Sequence, residues 1–234
     1  RPPKMRDPLP LGIFGGTFDP VHVGHLRLAE EASETLGLSG VRWIPAGQPK
    51  HREAPQVTPA HRLQMVRLAT AGNPLFSVDP AEVESGEASF TVPTLERLRE
   101  KFGQRQPLIL LLGADAYAGL NTWHRWQEIF SFAHLAVAHR PGYPVNADTL
   151  PAPLAEEHRQ RYAPEPATLA AAGAGIITTF AMTPLTISAT HIRQILAQGK
   201  VMRSDLGLKF QPLQDLEGFF VVGKTEGAVI SSIE

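Results

Sequence analysis

The sequence predicts an α/β fold: a Rossmann-like, doubly wound parallel sheet with helices on both faces. Three observations predict it. Short apolar runs alternate with stretches of helical periodicity. One run, "LILLL" (108–112), is apolar at every position, as a strand covered on both faces must be. Gly15-Gly16 break the chain between the first apolar run and the first helical stretch. Sheets of this class bind ligands at such a turn, beyond the carboxyl ends of their strands.

The elements follow in order. "LGIF" (11–14) is the first strand, and Gly15-Gly16 permit a tight turn after it. Over 24–36, Leu26, Ala29, Ala32 and Leu36 recur at helical spacing, with Arg27, Glu30, Glu31 and Glu34 between them. Gly37 stops that helix, and "VRWIP" (41–45) is the second strand. A helix between two such strands implies a parallel pair with a right-handed crossover. Residues 60–71 read as a helix, "FSVD" (76–79) as a short strand, and 93–102 as a helix with Pro in its first turn. "LILLL", "HLAVA" (134–138) and "IITTF" (176–180) are further strands. Trp123 and Trp126, three apart, fall on a predicted helix. Residues 140–175 are rich in Pro and Ala and read as loop, except for a short polar helix over 154–162. The last predicted helix is capped by Thr186 or Ser188, has Ile192, Ile195 and Leu196 on its apolar face, and stops at Gly199. Beyond it, "GFFVVG" (218–223) and "GAVISSI" (227–233) have the composition of strands.

Composition narrows the function. The 234 residues suffice for one large α/β domain or two small ones. A 43% hydrophobic and 19% charged chain can bury a sizeable core. The net charge of -1 gives no field that would recruit nucleic acid or an anionic membrane. With no cysteine, disulfide and thiolate chemistry are excluded. No apolar run approaches the roughly 20 residues that span a bilayer. Residues 1–10 lack the apolar core of a signal peptide. These features lead us to expect a cytoplasmic enzyme, monomeric or homo-oligomeric, with no nucleic-acid or membrane partner.

Three polar stretches follow the predicted strands and are expected to share one edge of the sheet. In "GGTFDPVHVGH" (15–25) the glycines let backbone N–H groups approach an anion, and the next helix offers unpaired N–H groups. His22 and His25 are three apart and can project to one side. Their imidazoles can donate to phosphate oxygens, while Asp19-Pro20 shapes the loop. A helix-capping turn with two surface histidines has the same spacing. A metal pair would need a third ligand, and none is near. "TISATHIR" (186–193) offers a second helix start, with Ser188, Thr190 and Arg193 as a polyphosphate cradle or simply as a cap and a helix arginine. In "GADAYAGLNTWHRW" (113–126), Asp115 follows a buried strand, where a carboxylate can accept from ribose hydroxyls or an amino group. Trp123 and Trp126 are either core or a stacking platform.

"GGTFDPVHVGH" with a later "ISATHIR" resembles the nucleotidylyltransferase superfamily, whose signatures are HxGH and ISxTxIR. "PAGQPKHR" (45–52), "FTVPTLERL" (90–98), "LLGADAYAGLNTWHRW" (111–126) and "VAHRPGYP" (137–144) narrow the resemblance to bacterial nicotinate-nucleotide adenylyltransferases. The resemblance covers 11–200, taken as the nucleotidylyltransferase domain. Residues 1–10 are an N-terminal extension, and 201–234 form a C-terminal segment that departs from the family.

The resemblance implies adenylyl transfer from ATP to nicotinate mononucleotide, giving deamido-NAD and pyrophosphate. It also implies Mg2+ held mainly by the ATP phosphates. His22, His25 and Arg193 would be catalytic. Gly15, Gly16, Thr17, Gly113, Asp115, Ser188 and Thr190 would bind ATP. Lys50, His51, Arg52, Thr91, Thr94, Trp123 and Arg140 would bind the mononucleotide, with Trp123 stacked on the pyridine ring. Lys50 stands where the family usually has Pro or an aromatic. Another adenylyltransferase of the superfamily, acting on nicotinamide mononucleotide or pantetheine phosphate, and a catalytically silent nucleotide-binding regulator remain as alternatives.

Overall fold

Eighteen named elements order the described chain, which in this computed structural model comprises residues 8–49, 55, 57–197, 208–212 and 228–233. They begin with β1 (Leu11–Gly16), α1 (Val23–Leu36), β2 (Gly40–Pro45), the two-residue β3 (Gln48–Pro49), α2 (Pro59–Thr70) and β4 (Phe76–Val78). There follow α3 (Ala81–Ser85), β5 (Ala88–Ser89), α4 (Thr91–Phe102), β6 (Leu108–Gly113), α5 (Ala114–Ala118), α6 (Ile129–Phe132) and β7 (His134–His139). The last are α7 (Ala152–Arg161), β8 (Ile177–Ala181), α8 (Ala189–Ala197), β9 (Leu208–Pro212) and β10 (Ala228–Ile233).

The main sheet has six strands in the order β4-β2-β1-β6-β7-β8. The chain winds outward from β1 through β2 and β4, then returns to β6 and winds the other way, which is the doubly wound pattern. The pairs β1–β6, β6–β7 and β7–β8 are parallel, with Leu11 opposite Leu108 and Leu110 opposite Leu135. Among the described residues no helix is long and apolar enough to cross a membrane.

Packing divides the chain into two compact units. One comprises Arg1–Phe14, Ala29–Arg42 and Phe90–Pro184; the other comprises Gly15–Leu28, Trp43–Ser89 and Leu185–Glu234. The first is built on Leu108–Leu112, all buried, with Leu95 and Leu98 of α4 and Leu135 and Val137 of β7. Tyr117 of α5 is also buried there, its hydroxyl 2.8 Å from Nδ1 of His158 on α7. Burial and the charge of Glu157 push the Tyr117 hydroxyl well above its ordinary range, so it stays protonated in that bond. The core of the second unit centres on Trp43, which packs on Phe18 and Phe76 with ring centroids 5.4 Å away in each case.

Most elements lie where the sequence predicts them, with shifts at their ends. The second strand begins at Gly40, and α4 starts at Thr91, two residues before the expected Pro93. Gly37 has φ +62 and ends α1 in the left-handed region that glycine enters freely. The expected helix through Trp123 and Trp126 does not form. Leu120–Thr122 and Trp126–Glu128 are single 3-10 turns, with Trp123 extended between them. Two short closures explain this: Thr122 Oγ1 donates to the Gly119 carbonyl at 2.7 Å, and Trp123 N–H donates to that of Leu120 at 3.0 Å. The left-handed Arg125 (φ +56) then turns the chain. At the C-terminal end "GAVISSI" contributes β10, which pairs antiparallel with an unpredicted partner, β9. "GFFVVG" lies outside the described residues.

Candidate active site

The candidate residues fall into two groups, each within one unit. The first is the end of β1 and the loop from it into α1; the turn expected at Gly15-Gly16 falls later, because the strand itself runs through both glycines. Gly15 is exposed, and a Cβ there would meet nothing closer than the Ile44 carbonyl oxygen at 4.0 Å. Gly16 lacks that freedom, because a Cβ would come within 3.0 Å of the Phe18 ring. Phe18 itself has φ +49, and its ring meets His25 edge-on at 5.0 Å. The following Asp19-Pro20 bond is cis.

His22 and His25 form the start of α1 with their own side chains. The His22 carbonyl accepts the His25 N–H at 2.9 Å, which makes His22 the cap residue. Its Nδ1 accepts the Gly24 N–H at 3.1 Å. The Nδ1 of His25 reaches back and accepts the His22 N–H, also at 3.1 Å. This reciprocal exchange is a capping box with imidazoles in place of Ser and Glu. It also fixes the tautomers. A backbone N–H can only donate, so both Nδ1 atoms accept and each neutral ring carries its proton on Nε2. The rings stack with centroids 3.7 Å apart. Two N–H donors therefore stand close together at a helix N-terminus, an arrangement suited to an anion. The cap expected from spacing is present, but His22 is buried rather than on the surface.

The same unit supplies Arg193. Its Nη1 donates to the Asp19 carbonyl at 2.6 Å and lies 4.0 Å from the Asp19 carboxylate, while Nη2 donates to Thr190 Oγ1 at 3.3 Å. Of the two predicted caps for α8, Ser188 fills the role: its Oγ accepts the His191 N–H at 3.2 Å. Thr190 lies in the first turn and is exposed. Ile192 is buried as expected, whereas the side chains of Ile195 and Leu196, and Gly199 as a whole, lie outside the described residues.

The second group lies in the other unit. Gly113 ends β6 and precedes α5 with nothing within 4 Å of where its Cβ would be. Asp115 is exposed on the first turn of α5. Thr91 and Thr94 are half-buried in the first turn of α4, which no side chain caps. Trp123 and Trp126 are half-buried, so neither is a core residue of the kind Trp43 is. Arg140 is exposed after β7, and its carbonyl oxygen accepts the Tyr143 N–H at 3.0 Å. Lys50, His51 and Arg52 lie outside the described residues.

A family model described as cytidylyltransferase-like matches residues 13–195. The chain belongs to the cytidylyltransferase-like family. Among its relatives, a "probable nicotinate-nucleotide adenylyltransferase" of Dechloromonas aromatica is 63% identical over 188 residues, 80% of this chain and 87% of that protein. One of the same name from Pseudomonas syringae is 41% identical over 222 residues, 94% and 98% of the two chains. Among solved structures, the Plasmodium falciparum nicotinic acid mononucleotide adenylyltransferase complexed with NaAD aligns with a TM-score of 0.59. That alignment covers 82% of this chain and 86% of the other at 12% identity, and shows the shared fold.

Sequence reasoning missed one residue that holds this loop. Arg62 of α2 is fully buried and donates to three carbonyls: Thr17 at 2.6 Å, Gly47 at 2.8 Å and Val57 at 3.3 Å. Burial pushes its guanidinium down from the ordinary value, and the Asp19 carboxylate opposes that. The signal was legible, since Arg62 shares the buried face of its helix with Leu63, Met65 and Val66.

Two predictions follow from the histidine cap. At an ordinary first helical turn Gly→Ala is favourable by up to about 1 kcal/mol. At Gly24 a Cβ would lie 3.0 Å from Cε1 and Nδ1 of His22 and 3.4 Å from Ile187 Cγ2. Gly24→Ala is therefore expected to lower stability by about 1–3 kcal/mol. Calorimetry reads the sign, and a raised Tm would mean the ring has room to move. The second concerns acid. Burial pushes the His22 imidazole from 6.5 down to about 4. Between those values the unfolded chain binds a proton that the folded chain refuses, so stability falls as pH drops through the window and levels off below it. The full effect is about 3 kcal/mol. Other buried histidines act the same way, so the comparison is with His22→Asn, whose amide oxygen can still accept the Gly24 N–H. Urea unfolding at pH 7 and pH 4 should show the parent losing about 3 kcal/mol more than the variant. Equal losses would contradict a neutral buried His22.

Proposed function

We propose that the chain transfers the adenylyl group of ATP to nicotinate mononucleotide, releasing pyrophosphate and forming deamido-NAD. The carrying observation is the pair of stacked imidazoles whose Nδ1 atoms are both committed to backbone N–H groups. With Nδ1 accepting, each neutral ring carries its N–H on Nε2, a donor of the kind phosphate oxygens accept. The relatives named nicotinate-nucleotide adenylyltransferase support the substrate assignment. The match over 13–195 supports taking 11–200 as the catalytic domain, with 1–10 and 201–234 outside it.

In this reading a 5′-phosphate oxygen of the mononucleotide attacks the α-phosphorus of ATP in line. The bond to the bridging oxygen breaks, and its electron pair leaves with pyrophosphate. The nucleophile is already an anion, so no side chain has to activate it. The protein's work is positioning and charge stabilisation. His25 and His22 donate through Nε2–H to the α-phosphate region, and the backbone of Gly15 and Gly16 at the end of β1 and of Thr17 after it lines the same region. Arg193, Ser188 and Thr190 hold the leaving phosphates. Gly113 and Asp115 meet the nucleoside. Lys50, His51, Arg52 and Arg140 serve the mononucleotide, whose ring stacks on Trp123. The loop's donor set is N–H and guanidinium, which fits phosphate rather than a bare cation. Mg2+ would accordingly be held by the phosphate oxygens, where it neutralises charge on the leaving group.

Pyrophosphate release on mixing ATP, nicotinate mononucleotide and Mg2+ is the direct test, and no release would overturn the reading. Within that assay His25→Ala should lower kcat by about 100-fold or more, with a smaller change in ATP affinity. A folded variant within a few-fold of the parent would leave His25 a capping residue alone.

Selectivity is the finer test. A carboxylate only accepts hydrogen bonds, whereas a carboxamide presents an NH₂ to one side. The first turn of α4 offers backbone N–H groups and the hydroxyls of Thr91 and Thr94, all able to donate. An amide turned toward such donors leaves a buried group unpaired, at about 1–3 kcal/mol. The acid should be preferred over the amide by roughly 100-fold in kcat/KM. Equal values for the two mononucleotides would remove the donor-pocket argument and leave adenylyl transfer standing.

A further inference from the structure

Trp123 sits in a loop whose conformation needs an explanation. It is extended between two single 3-10 turns, and two residues later Arg125 adopts φ +56. A non-glycine residue enters that region at a cost. Nothing in "NTWHRWQE" offers a glycine or asparagine at that position to reduce it. The Arg125 side chain supplies the compensation. Its Nε donates to Glu128 Oε1 at 2.9 Å and its Nη2 to Glu128 Oε2 at 2.6 Å, a two-point grip within the loop. The same Nη2 donates to Oε1 of Glu96 at 2.7 Å. Glu96 belongs to α4, the helix whose first turn carries Thr91 and Thr94. A second link runs parallel to it: the ring of His124 lies against Phe90, the residue just before α4, with centroids 5.0 Å apart.

We propose that Arg125 is a positioning residue for the acceptor mononucleotide, clamping the Trp123 loop to the helix that carries Thr91 and Thr94. This rests on the reading of Trp123 as the stacking platform. A single exposed ion pair would carry little weight. Here one guanidinium satisfies two carboxylates in three bonds, and bidentate, networked geometry is the case in which surface pairs count. The ring that stacks and the helix start that reads the carboxylate then keep their spacing before substrate arrives. Pre-organisation of that kind appears in affinity for one substrate and not the other.

The test is steady-state kinetics on the full chain with each substrate varied in turn. Arg125→Ala should raise KM for nicotinate mononucleotide roughly 3–10-fold and leave KM for ATP within about twofold. Glu96→Gln should move it in the same direction by a smaller factor. Arg125→Lys, which keeps one charged contact but loses the fork, should fall between parent and Ala. Arg125→Gly separates side chain from backbone: glycine relieves the φ cost but cannot clamp, so it should be no better than Ala. A glycine variant with the parent's KM would overturn the clamp, as would an alanine variant with the parent's KM. Equal rises for both substrates would also overturn it, because they would mark a general loss of structure. Trp123→Ala is measured alongside. If it raises KM for the mononucleotide and the Arg125 variants do not, only the clamp fails. If Trp123→Ala leaves that KM unchanged, the stacking reading fails and the clamp with it.

Discussion

The buried guanidinium of Arg62 is the constraint on which the unit containing the β1–α1 loop depends. A fully desolvated cation is unfavourable unless hydrogen bonds and an opposing charge surround it. Arg62 obtains them from the loop itself. The carbonyls of Thr17, Gly47 and Val57 take its donors, and the Asp19 carboxylate supplies the charge. Any movement of the Thr17 carbonyl would strand a charged N–H in the interior. The loop after β1 is thus held at its first residue by a buried charge. Asp19 extends the arrangement, because its backbone carbonyl also fixes Arg193 at 2.6 Å. The other unit uses the same device. Arg99 of α4, also buried, donates to the carbonyls of Phe132 at 2.7 Å, Gly103 at 3.0 Å and Gln106 at 2.5 Å, and to that of Gly173.

On that fixed loop the HxGH spacing acquires a local meaning. A cap residue and the third helical residue are the two positions that exchange side-chain and backbone bonds in a capping box. Placing histidine at both commits each Nδ1 as an acceptor and so puts the ring proton of each neutral imidazole on Nε2. The glycine between them gives the His22 ring its place, since a Cβ would stand 3.0 Å from it. One structural requirement thus dictates three of the four positions.

These relations set what was legible in the sequence. Strands such as "LILLL" were legible because burial on both faces leaves no choice of residue type. The histidine cap was legible because a cap and an anion site share one spacing; the residues alone did not choose between them, and the family resemblance favoured the anion site. Arg62 could have been found as a charge on an apolar helix face. The Trp123 loop could not. Its course depends on a left-handed Arg125 and on Glu96, distant in sequence, and neither leaves a local signal. Tryptophans three apart fit a helix and a loop equally well. β9 was hidden for a similar reason, since its pairing with β10 is a tertiary choice among several apolar stretches.

The neutrality of His22 bears on why imidazoles, rather than lysines, stand at the loop. A lysine brings a full charge wherever it goes and a flexible stem that must be ordered on binding. Arg62 and Arg193 already place two cations beside one carboxylate, that of Asp19. A further buried cation there would repel both and raise the cost of the empty site. A neutral imidazole with its Nδ1 occupied offers a directed N–H without that cost, and its orientation is set before any ligand binds. For His22, burial carries the argument further, because it holds the ring neutral down to about pH 4. Its donor is therefore unchanged across the physiological range. In phosphoryl chemistry such a pre-aimed dipole acts where charge develops, and its reorganisation has been completed during folding.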